Sequence, residues 1–228
     1  MRKIYKILLI GCFTLLPLIL LSNLGDISSA YFDIVIQQVK NTVVIIISVV
    51  GITTLLGVLT AWLFALYDFP LKKWLEIGLI MGMVFPSYVL AFFYSEVFNI
   101  FGQYALIGTM VVSTLPYVFM IVTMSLRSQS QQMIDSVLMF GKNIWWAKFK
   151  VLLPLIRPAI VLSMLLVIGD TFSEFGATYF YGVDTIITGV YEIWFGLYET
   201  EQGIRIAGWI FITTITLYYI VTILKGNS

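Results

Sequence analysis

Thr42–Tyr67 reads TVVIIISVVGITTLLGVLTAWLFALY, a run with no charged residue. At 1.5 Å of rise per residue such a run forms a helix of about 39 Å, and the hydrocarbon of a bilayer is roughly 30 Å thick. Working outward, five further stretches have the same character: about 4–22, 74–97, 104–126, 158–180 and 205–224. Of the 228 residues 60% are hydrophobic and 11% charged, whereas a soluble domain carries about a quarter charged residues. The expectation is an all-α, polytopic membrane protein of about six transmembrane helices, forming a single domain over 1–228.

Charge fixes an expected orientation, because Lys and Arg are retained on the cytoplasmic side. With the N-terminus inside, the cytoplasmic segments hold Arg2, Lys3, Lys6, Lys72, Lys73, Arg127, Lys142, Lys148, Lys150, Arg157 and Lys225. Only Lys40 and Arg205 fall outside, with Asp26, Asp33, Asp184, Glu192, Glu199 and Glu201. Both termini are therefore expected in the cytoplasm. The net charge of +1 gives no argument for nucleic acid, and the lone Cys12 with no His speaks against an internal disulfide or a zinc site. Leu9-Ile10-Gly11-Cys12 has the form of a lipoprotein cleavage site. Apolar residues continue past it through Leu21, so an uncleaved first helix is expected.

Two spans carry internal prolines, Pro86 and Pro116. Each removes a backbone hydrogen bond and tends to kink its helix, and a freed carbonyl in a membrane needs protein or a water-filled cavity. Either the kinks mark a pathway, or proline is simply commoner in transmembrane helices. The fifth span poses a sharper question. After Pro158 the apolar stretch ends at Gly169, so crossing requires Asp170 and Glu174 inside the span. Each acid costs ~2.5–3.5 kcal/mol at a lipid-facing midplane. By helical rise Glu174 lies about 24 Å from Pro158, in the outer third, where the cost is smaller. On a continuous helix Ser163, Asp170, Glu174, Thr178 and Tyr181 share roughly one stripe. That stripe either lines a cation's route, joined by Ser87, Tyr88, Tyr94 and Glu96, or caps packing at the outer rim. Contact with a cation would be transient, with no metal tightly bound.

Between the fourth and fifth spans, about 127–157 form the longest internal loop. Met133, Val137, Leu138 and Phe140 predict a short amphipathic helix ended by Gly141. A second helical stretch carries Trp145, Trp146 and Phe149 among lysines and is stopped by Pro154 and Pro158. Its aromatics suit either the lipid interface or a protein partner. Outside, Asp184 is placed to cap a short helix with Ile186, Ile187, Val190, Ile193, Trp194 and Leu197 on one face.

The loop resembles the signature of membrane subunits of binding-protein-dependent ABC importers, Glu-Ala-Ala, three residues, Gly, nine residues, Ile-x-Leu-Pro. Here Asp135-Ser136-Val137 takes the first places, Gly141 follows, and Val151-Leu152-Leu153-Pro154 closes the motif. The spacing is complete and the opening triplet is degenerate. Phe85-Pro86-Ser87-Tyr88-Val89-Leu90-Ala91, Leu115-Pro116-Tyr117-Val118 and Glu174-Phe175-Gly176-Ala177 with Tyr181-Gly182-Val183-Asp184-Thr185 are similar to ferric-iron-type permeases. The Glu-Phe-Gly-Ala-Thr string is similar to molybdate and sulfate permeases as well. Ferric-type permeases commonly fuse two halves, and one signature loop is present here.

The resemblance implies a permease subunit of an ATP-driven importer in the bacterial cytoplasmic (inner) membrane, its cargo ferric iron presented by an external solute-binding protein. Molybdate or sulfate, thiamine and polyamine are the alternatives. It implies a cytoplasmic ATPase dimer and a second permease half, from another copy or a companion subunit, as partners. The chain itself would be no enzyme. It lacks the Gly-rich loop with Lys-Ser or Lys-Thr that cradles phosphate, so ATP and Mg belong to the partner and no cofactor to this chain. In the implied mechanism the signature loop is seated in the ATPase, with Trp145, Trp146 and Phe149 as apolar anchors. A secondary transporter or channel would need no ATPase and often shows inverted repeats; no clear repeat is seen.

Overall fold

The uncharged run quoted above lies, but for its last residue Tyr67, within one helix, α1 (Ser29–Leu66), 38 residues long. The computed structural model describes residues 29–139 and 147–212, with side chains for 31–128 and 150–212. The first expected span, 4–22, and the end of the sixth lie outside the described residues. Those described are helical with turns and no strand. Helix α1 starts thirteen residues before the expected span at 42, so the segment with Asp33, Gln37, Gln38 and Lys40 is helical rather than a loop.

By contact the chain divides into residues 40–185 and a second unit of the residues through Val39 with those from Ile186. Within the larger unit α1 packs on α4 (Gln103–Met139), a 37-residue helix with Pro116 inside it. These are the two helices among the described residues long and apolar enough to cross a membrane unaided, over Tyr31–Leu66 and Gln103–Ser128. Small residues let the two backbones approach, as helices in lipid require when no hydrophobic effect drives them together. A Cβ added at Gly57 would stand 2.6 Å from Val118 Cβ. One turn away the buried Thr53 and Thr114 hydroxyls share a hydrogen bond of 3.2 Å, and Phe64 meets Phe119 edge to face at 5.2 Å.

The expected span 74–97 is not one kinked helix. It is two, α2 (Lys72–Met81) and α3 (Ser87–Phe98). The chain leaves α2 through tight turns, Met83 N–H to Ile80 O and Val84 N–H to Met81 O, both 3.0 Å. Pro86, extended at φ −57° and ψ 144°, then opens α3. Proline disfavours helix in the residue before it, so Phe85-Pro86 ends one helix and starts the next.

Helix α4 also departs from expectation. It runs past 126 to Met139, so the first part of the signature loop continues this helix instead of forming a separate one. The chain returns as a π-helical turn Ala147–Leu152 and a short turn Leu153–Leu155, then α5 (Arg157–Ser173). Pro154 and Pro158 sit in first turns, where a missing N–H costs nothing. They set a bend at Ile156 and do not end the helical path. Leu152 and Ile156 are fully buried. Arg127 of α4 grips Glu76 of α2 with two hydrogen bonds of 3.0 Å. Arg127 is 44% exposed, so the pair is worth under about 1 kcal/mol. Arg127→Ala should lower the melting temperature by less than about 4 °C in a detergent melt.

The second unit holds α7 (Ile186–Tyr191), a π-helical turn Glu192–Gly196 and a helix α8 described over 200–212. Helical structure over 186–196 matches the expected short helix, but Leu197 of its expected apolar face is exposed, like Glu192, Tyr198, Glu199 and Glu201. Arg205 pairs with Glu201 one turn before it.

Candidate functional site

Three interruptions of helix converge on one place. The first is the stretch between α2 and α3. Gly82 there packs on α4, where an added Cβ would lie 3.4 Å from Pro116 Cγ and 3.5 Å from Val112 O. Val112 O is the carbonyl that Pro116, lacking an N–H, leaves without its helical donor. The second interruption is therefore covered by the first.

The third is the end of α5. The expected span 158–180 breaks: Glu174 is extended at φ −71° and ψ 115°, and the chain restarts as α6 (Gly176–Phe180). No proline causes this break. The Glu174 carboxylate holds it, accepting from the Ala177 backbone N–H at 2.8 Å and from Ser87 Oγ at 2.6 Å. One oxygen caps α6 while the other ties the break to the first residue of α3. Gly176 allows the approach, since a Cβ there would lie 3.0 Å from Tyr88 Cβ.

Around these breaks lies a cavity of about 350 Å³. Its polar lining comes from Ser87 and Tyr88, from Ser113 and Tyr117 on either side of Pro116, and from Asp170 and Glu174. Among the described residues no Lys or Arg lines it. Glu174 has both oxygens engaged within the chain, while no hydrogen bond or ion pair holds the Asp170 side chain among the described residues. The space therefore presents one committed and one available carboxylate. No group of three metal-ligating His, Cys, Asp or Glu side chains occurs among the described residues.

Of the residues expected to share the path, Ser87, Tyr88, Asp170 and Glu174 meet at this cavity. The rest of the stripe does not join them. Ser163 is buried and donates to Ile160 O at 2.8 Å. Thr178 donates to Glu174 O, and Tyr181 bonds Thr109 at 2.9 Å and Ala91 O at 3.2 Å inside the core. The stripe presumed a continuous helix, and the break at Glu174 turns Thr178 and Tyr181 away. Tyr94 packs beside Phe93 and Phe98, and Glu96 is exposed. Ser113 and Tyr117 were not among the expected residues; their signal was position, three before and one after Pro116, on the face it opens.

In the signature loop, Asp135, Ser136 and Val137 lie on the last turns of α4. Gly141, Trp145 and Trp146 lie outside the described residues, and Phe149 falls in the π-helical turn. Leu153 packs half-buried against the core and Pro154 is exposed.

Residues 53–225 match the sequence profile of the family described as binding-protein-dependent transport system inner membrane component. The chain belongs to this family. It is thus an inner-membrane permease component of an ABC transporter, a family that works in general with an ATPase and a binding protein. One solved relative, in the crystal structure of an amino acid ABC transporter with histidines, superposes with a TM-score of 0.69. That match covers 90% of this permease and 99% of the other chain at 17% identity, so it establishes the all-α fold alone. The permease is also 28% identical over 124 residues to the diacetylchitobiose uptake system permease protein NgcG of Streptomyces coelicolor, covering 53% of this chain. It is 25% identical over 157 residues to the Fe(3+)-transport system permease protein FbpB 2 of Haemophilus influenzae, covering 68% of this chain. The matches span 41% and 31% of those relatives' own lengths.

Proposed function

We propose that this permease conducts a cation through the cavity at the helix breaks, and that ferric iron released by an external solute-binding protein is its substrate. The observation that carries this reading is the cavity's acidic lining: Asp170 and Glu174 without an opposing Lys or Arg among the described residues. Carboxylate, hydroxyl and phenol oxygens are hard ligands suited to ferric ion. Two acids would repel molybdate or sulfate. The faces of Tyr88 and Tyr117 beside the acids also suit an organic cation such as thiamine or a polyamine, which makes that the second reading. The sugar named for one relative has no charge for Asp170 to recognise.

In this proposal both termini are cytoplasmic, and a dimeric ATP-binding-cassette ATPase receives the loop around Gly141. Closure of the ATPase on ATP draws this loop toward that of a second permease half and rocks the spans from inward- to outward-facing. Asp135, Ser136 and Val137 continue α4, so a push on the loop would travel along the helix that carries Ser113, Pro116 and Tyr117. ATP and Mg act in the ATPase, and this chain supplies force transmission and the path.

Gly141→Trp and Trp145→Asp are expected to abolish co-purification of the ATPase or to leave its ATP hydrolysis uncoupled from uptake. Normal assembly and uptake by both variants would remove the loop from this role. For the substrate, proteoliposomes holding the complex and its binding protein should take up ferric ion on addition of ATP. Uptake of diacetylchitobiose or molybdate in its place would refute the cation reading.

A further inference from the structure

Glu174 also lines a second and much smaller space, of about 10 Å³. It is lined by Thr42 and Ile45 of α1, Leu106 and Met110 of α4, Thr171 and Phe172 of α5, then Glu174, Thr178 and Thr185. All four threonines are buried, at 7% exposure or less. The Thr171 hydroxyl has no hydrogen-bond partner among the described residues. Glu174 is the one residue that lines both this space and the central cavity.

We propose that this space is a hydration site for a single water molecule, which satisfies Thr171 and braces the break between α5 and α6. About 10–15 Å³ is the least space that holds one water, and such a water needs two to four polar partners. Size and lining meet both conditions. Thr171 Oγ1 both donates and accepts, and Thr178 Oγ1, whose proton goes to Glu174 O, keeps lone pairs to accept with. A dry space would leave the Thr171 hydroxyl desolvated, and a buried hydroxyl without a partner is costly. An apolar side chain of the same shape would then serve better at this position. The water removes that cost and links α5 to residues on α1 and α6, which explains a polar residue here. The inference does not depend on what the central cavity carries.

The test pairs a high-resolution map of the assembled transporter with thermal unfolding of Thr171→Val and Thr171→Ser. Solvent density is expected between the threonines in the wild type and in Thr171→Ser, which keeps the hydroxyl, and not in Thr171→Val. Thr171→Val, nearly the same volume, should lower the melting temperature by about 2–4 °C. The proposal is overturned by an empty space in the wild type. It is equally overturned by a Thr171→Val protein as stable as the wild type or more so, or by loss of the density in Thr171→Ser. If Thr171→Val does not assemble, the wild-type and Thr171→Ser maps decide.

Discussion

Asp170→Asn is expected to cut ATP-driven cation uptake at least about tenfold while the complex assembles and melts as the wild type does. The substitution keeps size and hydrogen-bonding capacity and removes one charge. Nothing in the fold is anchored by that carboxylate among the described residues, so packing should not register the change. A cation passing within about 4 Å of it would. Even at an effective dielectric constant near 20 the attraction between unit charges is about 4 kcal/mol, and a loss of only 1.4 kcal/mol is tenfold in rate. Glu174 should behave differently. Glu174→Gln can still accept from Ala177 N–H through its amide oxygen and donate to Ser87 Oγ through its amide nitrogen. The clip then survives without the charge, so uptake should fall less and stability little. Glu174→Ala removes both hydrogen bonds and should lower stability and uptake together. Wild-type uptake by Asp170→Asn would return that acid to a packing role at the rim.

Gly57→Leu should be the most damaging single change in the helix bundle. A Cβ at this buried position already stands 2.6 Å from Val118 Cβ and Cγ1, on a neighbour rooted in the middle of α4. The helices must separate, and that breaks the Thr53–Thr114 hydrogen bond and the Phe64–Phe119 contact on either side. Overpacking costs about 1–3 kcal/mol in well-packed cores. At the upper end the melting temperature of a chain this size drops by roughly 6–12 °C, and little assembled complex should be recovered. Gly51 on the same helix is the control. Nothing lies within 4 Å of a Cβ there and the position is exposed, so Gly51→Leu should match the wild type. Equal yields and melting points for both leucine variants would show that α1 and α4 do not cross at Gly57.

Uncharged length made α1 and α4 legible in the sequence, because a helix that crosses lipid unaided must declare itself locally. The expected spans 74–97 and 158–180 are each broken into two helices, and their breaks are decided partly at a distance. Phe85-Pro86 marked one break openly, although the sequence alone reads it as a kink. The break at Glu174 had no local marker beyond Gly176. It is held by Ser87, eighty-seven residues earlier, and by contact with Tyr88, and no helical periodicity carries that information. This is why Asp170 and Glu174 line the cavity while Thr178 and Tyr181, expected beside them, do not. The two acids stood out by their cost in a membrane, a local quantity, whereas the stripe depended on a helix that does not continue. Ser113 and Tyr117 follow from Pro116 once the proline is read as opening a face of α4 and not merely bending it.

The most direct test of the permease account is thiol labelling at Ser113→Cys in a Cys12→Ser background, Cys12 being the only native cysteine. Ser113 lines the cavity while its side chain is otherwise buried. In the assembled transporter, labelling by a membrane-impermeant reagent should change severalfold, and should switch face, between the nucleotide-free and ATP-trapped states. Labelling at the same rate and from the same face in both states would contradict a path through this cavity driven by ATP.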